Sequence, residues 1–198
     1  AASDVYKRQV KLRWQGDVDL DLSAFMLNKD GYIDDESDLV FYNSANRNDE
    51  YDPKRYESEE DWIGKTIPVS SDKSLIGAVD AEGVSDGCSI ETMTLDLDGV
   101  KPSICKIVFC VSVFQSSVQE NRQILPHYAE ISLVGADDGK ELSAFAFDDI
   151  DSGVTSIELY AFSRISDSKE WECGLCNIAH RAGLHSIIDC LLYTSPSP

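Results

Sequence analysis

Short stretches in which apolar and polar residues alternate recur along most of the chain. Successive side chains of a β-strand point to opposite faces, so this period of two indicates strands with one buried face. The continuous β-branched run KIVFCVSVF at 106–114 predicts a strand buried on both faces. The other predicted strands lie at 10–14, 18–27, 39–43, 93–100, 128–135, 140–147 and 156–165.

Turn-forming residues at 29–31, 136–140 and 151–153 separate these strands. Many short strands with polar turns indicate a mainly β protein, a two-sheet β-sandwich. A short C-terminal helix is predicted in IAHRAGLHSIID, where Ile178, Ala182, Ile187 and Ile188 fall roughly on one side and Gly183 weakens the pattern. A long acidic loop, 46–87, interrupts the strand rhythm; such a connection is typical of a functional or a disordered segment.

The two ends of the chain, 1–9 and 190–198, resemble translated sequencing-adapter tails and are predicted to be non-native. The remaining residues, 10–189, are predicted to form a single domain. No apolar run approaches the length of a membrane span, and no signal peptide is recognisable. A cytoplasmic location is therefore expected, which agrees with reduced cysteines.

The charge is strongly negative, with 36 acidic against 17 basic residues and a net charge of -19. Nucleic acids and anionic membranes are bound mainly through Lys and Arg, so both are disfavoured as partners. The charge suits cations, although solubility alone also explains an acidic surface. One predicted strand favours cation binding over solubility alone. Its aspartates would form a row of like charges on one face, with aliphatic residues on the other; the row is Asp17, Asp19 and Asp21, alternating with Val18, Leu20 and Leu22.

Two motifs, the loop that follows them and a later strand carry a family resemblance. DVDLDLSAFML (17–27), LVFYN (39–43), a Gly/Asp-rich loop ending in Glu91 and the strand KIVFCVSVF resemble, in order and spacing, the TerD family of tellurium-resistance and stress-response proteins. IELY at 157–160, Trp171 and the Gly183–Leu184 pair also fall where that family has similar residues. The resemblance extends from Val10 to Asp189.

The resemblance implies a calcium-binding β-sandwich, in which calcium would make the carboxylate row tolerable. By position it assigns ligands to Asp19, Asp21, Asn43, Asp72 and Glu91. DGCSIE (86–91) departs from the acidic motif of the family, so Asp80 and Asp86, with Glu82, are alternative ligands. The implied function is a calcium-binding stress-response protein that acts as a non-catalytic interaction module, with calcium ions and other proteins of a resistance system as partners.

Other kinds of site remain open at this point. Cys173 and Cys176 form CGLC with His180 four residues later, a spacing found in zinc or redox sites, but the resemblance places both cysteines in the core. No sequence motif nominates catalytic residues, and His127, His180 and His185 are isolated. The alternative function is a carbohydrate- or protein-binding sandwich that has no metal site and whose acidic face is merely solvated.

Overall fold

The computed structural model describes residues 6–16, 18–78, 82–83, 87–113, 128–146, 154–166, 168–181, 184 and 187–188. This part of the chain contains eleven strands, one short α-helix and helical residues at 184 and 187–188. The strands are β1 Lys7–Gln15, β2 Leu20–Leu27, β3 Leu39–Val40, β4 Leu75–Ile76, β5 Glu82–Gly83, β6 Cys88–Asp96, β7 Lys106–Val113, β8 Tyr128–Gly135, β9 Glu141–Ala146, β10 Ser156–Arg164 and β11 Trp171–His180. The helix α1 is Glu59–Lys65, and a 3-10 turn, Glu36–Asp38, precedes β3.

The strands form two antiparallel sheets. The first has the order β4-β6-β1-β8-β9, with β5 also paired to β6, and the second has the order β11-β10-β7-β2-β3. The predicted mainly β sandwich is thus confirmed. β1 begins at Lys7, which pairs with Asp96, so the last three residues of the segment 1–9 belong to the β1–β6 ladder.

The main core lies between the two sheets and follows from the two-residue period. On β2, Leu20, Leu22, Ala24 and Met26 all point inward, and β1 contributes the fully enclosed Trp14. The inward residues of β7, which include Phe109, alternate with Val108 and Cys110 on its other face. Because both faces of β7 are apolar, the strand is buried on both sides, as its continuous β-branched run predicts.

A second apolar cluster covers the outer face of the second sheet. Phe25 and Leu27 of β2 pack there with Val108 and Cys110 of β7, and the buried Ile187 lies against them. Leu184, Ile187 and Ile188 are helical, in agreement with the predicted C-terminal helix at these positions. The predicted start of that helix is wrong, because Ile178 lies in β11, where it pairs with Glu158. Ala182 and Gly183 lie outside the described residues.

Arg47 organises the acidic segment between β3 and β4. Its guanidinium donates to the carbonyl oxygens of Tyr42, Ser44, Ile63 and Thr66 and to the Thr66 hydroxyl, and it stacks over the Trp62 ring at 5.7 Å. Within the same segment, α1 begins after Ser58, whose hydroxyl accepts from the Asp61 N–H. The first part of the long loop is therefore folded around one half-buried arginine rather than being a chain of solvated acids.

No helix in the described part of the chain is long and apolar enough to cross a membrane.

Candidate functional site

Glu91 is an acidic side chain buried between the two sheets. It lies on the inward face of β6 together with the buried Met93 and Leu95, and it is 6% exposed. Its Oε2 accepts a 2.7 Å hydrogen bond from the backbone N–H of Leu22 in the opposite sheet. β3 pairs only with Ala24 and Phe25, so Glu91 takes the place of a neighbouring strand at this part of the β2 edge. The carboxylate thus joins the two sheets where β2 begins.

The acidic row lies at the same end of β2. Asp19 precedes the strand and is exposed, whereas Asp21 is half-buried and pairs with Ser112 of β7. Leu20 and Leu22 are buried, so the alternation places Asp21 on the outer face of the second sheet. Asp21 and Glu91 therefore lie next to each other along β2, but on opposite faces of the second sheet. Asp17 lies outside the described residues.

Asn43 follows β3 on the side that faces Asp21. Val40 pairs with Ala24 in an antiparallel ladder, so the chain after Val40 runs toward the start of β2. It then turns, and the Ser44 hydroxyl accepts from the Phe41 N–H and donates to the Leu39 carbonyl. Asn43 is exposed in this turn. It lies at the correct end of the sandwich, but the turn separates it from the β2 ladder.

Asp72 is separated from the other expected ligands. Its Oδ1 accepts from the Ser70 hydroxyl and from the Ser74 hydroxyl and N–H, and its Oδ2 accepts from the Lys101 N–H at 2.8 Å. The following strand pairs Leu75 with Leu95, four residues beyond Glu91 on β6, which corresponds to about 14 Å. Asp72 therefore holds the turn before β4 to the β6–β7 loop.

The pKa of Asp72 reflects these contacts. Burial alone would raise the pKa, but the hydrogen bonds from Ser74, the Lys101 backbone and Ser70 outweigh burial and lower it below the ordinary value. The charged carboxylate is thus part of the folded structure of this turn.

Asp80 and Asp86, two further expected ligands, lie outside the described residues. The intervening strand β5, Glu82–Gly83, pairs with Ile90 and Ser89, immediately beside Glu91. Within the described part of the chain, no three His, Cys, Asp or Glu side chains are grouped so that they could hold a metal ion. The described part of the candidate site is therefore Glu91 together with the acidic start of β2.

An ion pair between the buried Asp38 and the half-buried Lys101, absent from the sequence-based expectations, lies near Asp72. Asp38 is fully buried, and both of its carboxylate oxygens accept from the Lys101 ammonium at 2.8 Å. The Ser71 hydroxyl also donates to Asp38. The two partners are 63 residues apart in the chain, and no local pattern marks either of them. The pair fastens the 3-10 turn before β3 to the β6–β7 loop.

The CGLC cysteines lie on the edge strand β11 and not in the core. Cys173 is exposed and Cys176 is half-buried, so the core position expected for Cys173 is wrong. The pKa of the Cys173 thiol is raised to about 11 by desolvation, which outweighs the nearby positive charge of Arg8. His180 contacts Glu158 through Nε2 at 2.8 Å. Because β11 has no strand on its outer side among the described residues, most of its side chains remain exposed to solvent.

Comparisons with known proteins identify relatives of this chain in sequence and in fold. A TerD domain model matches residues 2–190. The chain is 26% identical to the tellurium resistance protein TerD of Serratia marcescens over 175 residues, which cover 86% of this chain and 76% of that protein. A homologue of telluride resistance protein (TerD) from Streptomyces coelicolor A3(2) has a similar fold, with a TM-score of 0.65 and 16% identity over 92% of this chain and 95% of that one.

A second solved structure, of a protein of unknown function named SAV2460, has a similar fold, with a TM-score of 0.66 and 16% identity. The match covers 92% of this chain and 94% of the SAV2460 chain. At this identity the two solved structures support the fold alone, whereas the domain match spans nearly the whole chain. The chain therefore belongs to the TerD domain family.

Proposed function

We propose that this chain is a calcium-binding protein of the tellurium-resistance type that acts in the cytoplasm as a non-catalytic interaction module. The observation that carries the proposal is the buried carboxylate of Glu91 at the acidic start of β2. A buried carboxylate is costly unless it is compensated by hydrogen bonds or by a cation. The Leu22 N–H supplies part of that compensation, and a calcium ion beside Glu91 would add to it and would also neutralise the neighbouring aspartates.

The donor chemistry at this end of the sandwich fits calcium. Calcium takes six to eight oxygen ligands from carboxylates, carbonyls and water. Asp19, Asp21 and Glu91 are the described candidates, with Asn43 in the adjoining turn. Asp80 and Asp86 would complete the set from the segment that flanks β5. Asp72 is left out of this set, since its carboxylate oxygens already accept four hydrogen bonds in a separate turn.

The role of the ion would be to join the two sheets. Glu91 belongs to the first sheet and the Asp19–Asp21 stretch leads into the second. An ion shared between them would fix the open end of the sandwich and the segment next to β5. Partner proteins of a resistance or stress system would then recognise a surface whose shape and charge depend on calcium.

The competing function is a carbohydrate- or protein-binding sandwich without a metal. It is favoured by the lack of a three-ligand group among the described residues. In that case the acidic start of β2 would be a solvated surface, and Glu91 would serve to join the two sheets through the Leu22 N–H.

A calorimetric calcium titration of the full chain, with thermal melts in calcium and in chelator, separates the two functions. At free calcium about 100-fold above the dissociation constant, binding to the folded state alone adds about 2.7 kcal/mol of stability. Asp21→Asn should abolish most of this gain because it removes a charged ligand. Asp137→Asn, in the exposed turn after β8, is the matched control and should retain it.

Removal of any one carboxylate in a solvated row would relieve repulsion in both conditions alike. The competing function would be supported by two results together. Wild type would release no heat when titrated with calcium, and Asp21→Asn would be at least as stable as wild type in both calcium and chelator.

A further inference from the structure

A groove of about 940 Å³ opens at the end of the sandwich opposite the acidic start of β2. Its walls are the turn after β2, the β6–β7 loop and the loop that follows β10. Lys29 lies just past the end of β2 and lines the groove, whereas Asp21 lies near the start of that strand. Eight residues of extended chain separate these two positions by roughly 25 Å. The groove is therefore distinct from the proposed calcium site.

The lining of the groove has the opposite sign from the chain as a whole. Four basic side chains line it, from Lys29, Lys101, Arg164 and Lys169, and the acidic residue among the described lining residues is Asp98. The whole chain, by contrast, carries 36 acidic and 17 basic residues. About a quarter of the basic residues of the chain thus line this groove. Asp167, in the loop after β10, lies outside the described residues.

Two of the four cations are held in fixed positions. Arg164 donates through Nε to the Ile104 carbonyl and through Nη2 to the carbonyls of Val100 and Lys101, and it stacks on the Trp171 ring at 4.3 Å. Lys101 is bonded to the buried Asp38. These contacts make the β6–β7 loop a rigid floor for the groove. They also keep a positive guanidinium at the floor whether or not a ligand is present.

The other two cations are available to a ligand. Lys29 and Lys169 are exposed, and neither forms an ion pair with any other described residue. They line the groove from two different segments, one from the turn after β2 and one from the loop after β10. Ser166 lines the second wall and adds a hydroxyl, whereas the Ser168 hydroxyl already donates to the Ile165 carbonyl. Lysine ammonium groups and hydroxyls are the donors that phosphate-type oxygens accept from.

We propose that this groove binds a small phosphorylated anion, with Lys29 and Lys169 contacting its charged oxygens above the fixed Arg164. The overall negative charge repels a long polyanion such as a nucleic acid, whereas a compact anion contacts only the positive groove. The volume lies within the range of small-ligand sites and exceeds the size of a single phosphate. A ligand with two phosphate groups offers a charged group to each lysine.

Pyrophosphate is the probe for a calorimetric titration at low ionic strength in the presence of chelator. The chelator removes calcium, so the result is independent of whether the proposed calcium function holds. We expect saturable binding of pyrophosphate, with inorganic phosphate at least about tenfold weaker because it spans only one lysine. Binding should weaken as salt is added, since both lysines are exposed to screening ions.

The decisive comparison is between two double variants with the same change in net charge. Lys29→Gln with Lys169→Gln should weaken pyrophosphate binding at least about tenfold. Lys54→Gln with Lys140→Gln removes two exposed lysines that do not line the groove and should leave affinity within about threefold of wild type. All four lysines are exposed, so both variants are expected to fold, which melting curves check. No saturable binding by wild type, or an equal loss in both variants, would overturn the proposal.

Discussion

The Leu22 N–H and the Glu91 carboxylate form a 2.7 Å hydrogen bond that links the two sheets. β2 presents the N–H at a part of its edge that β3 does not cover, and β6 presents the carboxylate from inside the sandwich. The same carboxylate is the centre of the proposed calcium site. Its structural role and its role in binding calcium can be separated by the choice of substitution.

Glu91→Ala should destabilise the protein by about 2–3 kcal/mol in chelator, because the buried Leu22 N–H loses a charged acceptor. Glu91→Gln keeps a side-chain oxygen that can accept this bond and should cost less. If calcium binds here, Glu91→Gln should nevertheless lose the calcium-dependent gain in stability. Urea unfolding of both variants in calcium and in chelator measures the two effects. Equal stability of Glu91→Ala and wild type in chelator would show that the bond contributes nothing.

Asp72 should contribute to the acid sensitivity of the fold. Its pKa is lower in the folded protein than the ordinary value near 3.9, so its contribution to stability is complete above that value and is lost as the pH falls through the folded pKa. Asp72→Asn should therefore be less stable at pH 7 and lose less additional stability between pH 4 and pH 2. Denaturant unfolding across this range provides the measurement. Parallel pH profiles for wild type and Asp72→Asn would contradict the assignment.

The buried pair of Asp38 and Lys101 should be sensitive to the loss of either partner. Lys101→Met leaves the fully buried Asp38 carboxylate without its cation, with the Ser71 hydroxyl still donating to it, and should cost about 3–5 kcal/mol. The double variant Asp38→Leu with Lys101→Met removes both charges and should recover a large part of that loss. A double-mutant cycle with Asp38→Leu alone measures the coupling. Additive effects of the two substitutions would show that the pair is not coupled.

Cys173 should be a slow nucleophile despite its exposed position. With a thiol pKa of about 11, only a small fraction is thiolate at pH 7.5, and the thiolate is the reactive form. The alkylation rate by iodoacetamide should rise steeply between pH 8 and pH 10. Mass spectrometry of tryptic peptides distinguishes Cys173 from Cys110, whose burial also raises its thiol pKa. Stoichiometric zinc in the purified protein, lost in Cys173→Ala with Cys176→Ala, would instead identify CGLC as a metal site.

The strands with a clear two-residue period were predictable from the sequence. β8 was predicted with its observed bounds, and the interior of β1, β7 and β10 followed from the same pattern. β11 was not, because WECGLCNIAH has no such period: it contains a glycine and a register irregularity where Asn177 has a positive φ of 51°. A helical period could be read into its last residues, and pairing with β10 overrides it.

The candidate site was less predictable than the fold. The family resemblance indicated which carboxylates to consider, but not which of them converge. Asp72 satisfies its own turn, and the hydrogen bonds that show this come from residues whose closeness depends on the folded chain. The Asp38–Lys101 pair and the basic groove join segments far apart in sequence, and each of their residues is an ordinary surface type when considered alone. Contacts of this kind are set by topology rather than by a local pattern.

The position of β1 at the centre of the first sheet affects how the chain folds during synthesis. Val10 pairs with Met93 and with Leu133, about 80 and about 120 residues later in the chain. Synthesis at roughly 5–20 residues per second leaves β1 without either partner for several seconds. Its apolar side chains and both of its backbone edges are exposed throughout that delay, and folding dominated by such distant pairings is slow. The nascent chain therefore has the features that ribosome-associated chaperones recognise.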